Sequence, residues 1–184
     1  MIEPQQQAKH PVSVLAGPYG HPLHPILVTI PIGAWTASLV FDIASHVTTG
    51  NGFLAQGSLW LIAVGVAGAL AAACAGFLDL FAIPMGTTAF RIALVHMTLN
   101  LIVTAGYAAG FAWRNGSHPR TGPVAAGPLA PSAVCLARLG VSGFLGGKLA
   151  FRYGVRVVDE ATQASGYTGA DQASPHLITP RRTS

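Results

Sequence analysis

Long apolar runs alternate with short polar stretches along this chain. Residues 26–45 read ILVTIPIGAWTASLVFDIAS, with Asp42 as the only charge. Residues 58–83 contain WLIAVGVAGALAAACAGFLDLFAI, where the lone charge, Asp79, lies close to the end. Residues 89–113 and 129–150 form two further runs. Each run reaches the roughly 20 residues that an α-helix needs to cross a hydrocarbon core. The pattern predicts an all-α integral membrane bundle of four transmembrane helices. Pro31 is expected to kink the first, while Pro84, Pro119, Pro123 and Pro128 punctuate the loops.

Small residues sharpen this picture, because helices in lipid associate by close backbone approach. Gly68, Ala72, Gly76 and Asp79 share one face of the second helix, which turns Asp79 into the bundle. Gly143 and Gly147 form a Gly-x-x-x-Gly pair on the fourth, which fits a packed interface. The composition agrees: 51% of residues are hydrophobic and 9% are charged, where soluble domains carry about a quarter. Cys74 and Cys135 lie in apolar runs with no C-x-x-C spacing and read as small buried hydrophobes.

The net charge of +4 comes from scattered cations without a dense patch, so it does not point to nucleic acid. Four spans leave Lys9, Arg91, Lys148, Arg152 and Arg156 on the side of the termini, against Arg114 and Arg120 opposite. That bias predicts cytoplasmic N and C termini in a bacterial plasma (inner) membrane. Residues 1–20 are expected to be a flexible segment, 21–158 the membrane domain, and 159–184 a disordered polar tail.

Ionisable groups inside a bilayer are costly, so each marks a candidate site. Asp42 falls about 24 Å along the first helix, and Arg138 about 14 Å into the fourth from the opposite side. In a core about 30 Å thick those depths pair them as an interhelical ion pair. Nearer the termini, His21, His24, Asp79, Arg91 and His96 form a second polar cluster. His96, Asn100, Thr104 and Tyr107 follow one another on one face of the third helix, a stripe that implies a ligand, a cavity or a hydrogen-bond network. His21, and His46 at the outer end of the first span, fit ordinary interfacial histidines. A helix starting at His24 would align that residue with Asp42 unless Pro31 spoils the register. No serine-hydrolase elbow, phosphate loop, zinc-protease or dinucleotide motif is present, which argues against conventional hydrolase and kinase chemistry.

The segments GHPLHPILVTIPIG with FDIAS, GFLDLFAIP, RIALVHMTLN and LGGKLAFRYGVRV, in this order, resemble the bacterial membrane proteins grouped as domain of unknown function 2231, over about residues 20–158. The resemblance implies a four-helix domain whose polar positions include His24, Asp42, Asp79, Arg91, His96 and residues 152–154. Thr29 stands where many members carry histidine. Relatives found beside Rieske or cytochrome-type redox proteins imply electron transfer, although this chain has no Rieske or cytochrome c motif. Three functions remain open. One is a membrane redox subunit that binds haem b or a quinone with His24, His96 and Asn100, the two histidines acting as iron ligands; a depth mismatch of about 10 Å between them stands against it. The others are a proton or small-solute transport component and a noncatalytic assembly subunit. Expected partners are the lipid bilayer, membrane redox proteins and further copies of the chain.

Overall fold

The structure, a computed structural model, describes residues 3–49, 52–117 and 122–167. Helix α1 (Pro4–Lys9) and a 3-10 turn (Val14–Ala16) precede the bundle. The bundle is built from α2 (Leu23–Leu27), α3 (Thr29–Ala44), α4 (Gly52–Leu80), α5 (Thr88–Ser117) and α6 (Ala126–Gly147), the last followed by a π-helical turn (Lys148–Arg152). A short α7 (Glu160–Ser165) ends the described chain, which contains no strand among those residues. Among the described residues, four segments are long and apolar enough to span a membrane: Leu23–Ala44, Gly52–Leu80, Thr88–Gly116 and Ala126–Arg152.

The first span starts earlier than residue 26 and is broken at Val28, three residues before Pro31. Proline at 31 has no N–H for the carbonyl of Leu27, and its ring crowds that carbonyl, so the interruption falls one turn upstream. Thr29 Oγ1 donates to the carbonyl of Ile26 at 2.7 Å and satisfies one acceptor beside the break.

Neighbouring helices pack in the order α3, α4, α5, α6 and back to α3, so α3 and α5 face each other diagonally. The buried positions of α4, including Ser58, Ile62, Gly65, Gly68, Ala72 and Asp79, recur every three or four residues and form one stripe. On this stripe Gly68 admits Ile30 and Pro31, since a Cβ there would meet Ile30 Cγ2 at 2.5 Å. The predicted small face of α4 is therefore the seam with the first span. The centre of the bundle is a dry layer of Trp35, Ile62, Val103, Tyr107 and Cys135. Large apolar side chains such as Val40, Trp60, Leu70, Ile102 and Val141 point outward, as a lipid-facing surface requires.

The Gly143 and Gly147 pair does not lie in a seam within this chain. A Cβ on Gly143 would meet nothing within 4 Å, and one on Gly147 only Phe151 of its own helix. Ser142, Gly146 and Leu149 hold the inward register of this segment, so Gly143 and Gly147 fall on other faces.

At the end that carries both termini, the N-terminal segment is strapped to the chain after the fourth span. Lys9 Nζ lies 2.9 Å from Glu160, the amide of Arg156 donates to the carbonyl of Ala8 at 3.0 Å, and Tyr19 donates to Asp159 at 2.7 Å. Asp159 also caps α7 through the amide of Thr162. These hydrogen bonds to its ionised form hold its carboxyl at about 2. Residues 168–184, most of the tail expected to be disordered, lie outside the described residues.

Candidate functional site

Two polar assemblies occupy opposite ends of the bundle, separated by the Trp35 and Tyr107 layer. At the end away from the termini, Asp42 is fully buried and pairs with Arg114, not with Arg138. The pair is bidentate: Nη1 donates to Oδ1 at 2.9 Å and Nη2 to Oδ2 at 2.7 Å. Arg114 also donates to Ser58 Oγ at 3.2 Å, Ser132 Oγ at 3.0 Å and the carbonyl of Pro128 at 3.1 Å. Side chains or backbone from α3, α4, α5 and α6 thus meet on one guanidinium. The expected Arg138 partnership fails because Arg138 is exposed on the outer face of α6. Arg114 looked like a loop flank, yet α5 continues to Ser117, which places it seven residues beyond Tyr107 on the polar face of the same helix. That spacing was the signal for it.

At the termini end, Asp79 turns inward as expected, but its cation is Arg156. Arg156 Nε lies 2.7 Å from Asp79 Oδ1 in a close ion pair that departs from ideal hydrogen-bond alignment. Arg156 Nη2 donates to the carbonyls of Ala16 and Gly17 at 3.0 and 2.9 Å. Its backbone is left-handed, with φ 60°, an uncommon conformation for a non-glycine residue. Arg91, expected in this cluster, is exposed and contacts Thr88 one turn away at 3.4 Å. His21 is exposed as well. Arg156 was hidden from sequence reading because it follows the last span, and only the return of the chain over the bundle end brings it to Asp79.

Between these groups and the dry layer lie His24 and His96. They come from the diagonal pair of spans, and their ring centroids are 6.1 Å apart with planes at 82°. The depth mismatch disappears because the first helix begins at Leu23 and carries His24 into the bundle. His24 Nδ1 donates to the carbonyl of Ala72 at 2.8 Å. His96 Nδ1 donates to the carbonyl of Ser142, also at 2.8 Å. Asn100 Nδ2 reaches His96 Nε2 at 3.1 Å and the carbonyl of His96 at 2.9 Å. Each carbonyl accepts from Nδ1, so in the neutral form of either ring the proton sits on Nδ1 and Nε2 carries the free lone pair.

Glycines make these ring positions. A Cβ on Gly76 would stand 2.8 Å from His24 Nδ1, and one on Gly146 3.0 Å from His96 Cε1. A larger residue at Gly76 would force His24 to shift, and one at Gly146 would press on the His96 ring. The rest of the stripe serves packing: Thr104 bonds back to the carbonyl of Asn100 at 2.8 Å, and Tyr107 donates to the carbonyl of Ser132 at 3.1 Å. Among the described residues, no group of three or more His, Cys, Asp and Glu is placed to hold a metal ion.

Residues 20–159 match the family described as "Predicted membrane protein (DUF2231)". The match covers most of the chain and includes all four spans, so the protein belongs to this family. No curated protein and no solved structure gives a significant match.

Proposed function

We propose that this protein is a membrane subunit of an electron-transfer system in which His24 and His96 would hold the iron of a b-type haem. The observation that supports this reading is the meeting of two imidazoles from non-neighbouring helices, each held by Nδ1 on a backbone carbonyl. Such outer hydrogen bonds orient metal-binding histidines and raise the basicity of Nε2. Helix bundles house cofactors between facing helices in this manner.

The donor chemistry suits the group, since imidazole nitrogens ligate haem iron, and the two rings lie with centroids 6.1 Å apart. Asn100 must give up Nε2 of His96, but it keeps its bond to the carbonyl of the same residue. A bound haem would supply one-electron transfer; the chain would orient the two rings and exclude water. A quinone headgroup is the alternative occupant of the same histidines.

A transport path is disfavoured by the dry layer. Trp35 and Tyr107 stack at 4.2 Å, and these two, with Ile62 and Val103, are at most 2% exposed. This layer separates the histidines from the Asp42 clasp.

The spectrum of the detergent-purified protein, oxidised and then reduced with dithionite, tests the reading. A Soret shift is expected, and His96→Ala should lose most of that band while the protein inserts and purifies as before. A colourless protein expressed with ample haem would overturn the haem reading and leave the quinone and assembly roles. A haem spectrum and potential unchanged in His96→Ala would refute the ligand assignment.

We also propose cytoplasmic termini in a bacterial plasma membrane. Arg91, Lys148 and Arg152 lie toward the termini side, whereas Arg114 on the other side is consumed by the internal clasp. A periplasmically active reporter fused to the C-terminus should be silent, and strong activity would reverse the orientation.

A further inference from the structure

Arg138 sits twelve residues after the start and fourteen before the end of the fourth span, Ala126–Arg152. These intervals correspond to about 18 Å and 21 Å of helix. Measured from Ser132, at the level of the Asp42 clasp, Arg138 is still about 9 Å inside. Its side chain points outward, and no hydrogen bond or ion pair engages it among the described residues. Val134 and Val141, one turn away on either side, are 50% and 57% exposed, so its surroundings are apolar. A charge on such a face is expensive, and charged residues within spans normally meet a partner or line a wet cavity.

The fourth span is also the least covered: 11% of its apolar window is buried, against 28%, 28% and 17% for the others. Gly140 and Gly143 on the open side of α6 have nothing within 4 Å of a built Cβ. Small residues there permit another helix to approach closely.

The acidic residues of the chain narrow the choice of partner. There are six, Glu3, Asp42, Asp79, Asp159, Glu160 and Asp171, and only Asp42 and Asp79 lie within spans. Both are turned inward and paired with Arg114 and Arg156. A second copy therefore has no free carboxylate to offer at the depth of Arg138.

We propose that the outer face of α6 around Arg138 docks a transmembrane helix of a different protein, one that carries an Asp or Glu at matching depth. This interface stands independently of whether haem is bound.

The test uses the full chain, fluorescently labelled and reconstituted in phosphatidylcholine vesicles with synthetic leucine-rich transmembrane peptides. One peptide carries a single central Asp, one a central Lys, and one neither. Energy transfer should show the Asp peptide associating at least about tenfold more tightly than the all-leucine peptide. Arg138→Leu should abolish that preference, Arg138→Lys should retain most of it, and Arg138→Asp should transfer it to the Lys peptide. Because position 138 is exposed, these variants are expected to fold, with helical circular dichroism as the check; the wild-type comparison decides even where a variant does not. Equal association of wild type with the Asp and all-leucine peptides overturns the proposal. So does an Asp preference that survives Arg138→Leu, or cross-linking of two protein copies through this face without peptide.

Discussion

Arg114→Gln should cost about 3–5 kcal/mol of stability, because it strands the Asp42 carboxylate in the bundle interior. Asp42→Asn should be comparably damaging, since it leaves a guanidinium whose remaining partners are Ser58, Ser132 and the carbonyl of Pro128. The double variant Asp42→Asn with Arg114→Gln should lose less than the sum, with a coupling of about 1–3 kcal/mol for groups in direct contact. Removing both charges removes the desolvation cost along with the attraction. Arg138→Gln is the internal control: Arg138 makes no ion pair among the described residues, so its replacement should not destabilise the fold. Unfolding in mixed micelles, monitored by helical circular dichroism, measures all four. Strictly additive losses at 42 and 114 would show that the two charges do not meet.

The same residues explain how much was legible in the sequence. Four spans, the inward turn of Asp79 and the small face of α4 follow from apolar run length and from three- and four-residue spacing. Both are local properties that the folded helices keep. The partners of the two aspartates are not local. Asp42 was matched by depth to Arg138, but depth alone does not say which way an α6 side chain points. The rotational register of α6, set by Ser132, Cys135, Ser142 and Leu149 facing inward, turns Arg138 out. Asp79 found its cation in a segment beyond the last span, where no periodicity constrains the chain. For the histidines, the site residues were legible from composition and position. Their meeting depended on three extra residues of helix at the start of the first span, upstream of the break that Pro31 imposes.

The dry layer between the two polar ends should respond to a single methyl group. Gly65 lies on α4 under the indole of Trp35, and a Cβ there would sit inside the ring surface beside Nε1, 2.5 Å from Cδ1. Trp35 has little room to yield: it is 1% exposed, stacks on Tyr107 at 4.2 Å, and donates from Nε1 to the carbonyl of Ile62 at 3.3 Å. Overpacking at such a site costs about 1–3 kcal/mol, and a displaced indole also loses a hydrogen bond of about 1 kcal/mol. Alanine recovers about 1 kcal/mol through its helix propensity. Gly65→Ala should therefore lose about 1–3 kcal/mol net, and Gly65→Val should lose more as the added volume grows. Gly110→Ala separates the two effects, because a Cβ at Gly110 meets nothing within 4 Å, so only the propensity gain remains. The near-ultraviolet circular dichroism of the Trp35 and Tyr107 stack should fall in the Gly65 series and stay unchanged in Gly110→Ala. Equal stability of Gly65→Ala and Gly110→Ala would show that the indole moves aside freely, and the layer would no longer count as a fixed barrier between the histidines and the Asp42 clasp.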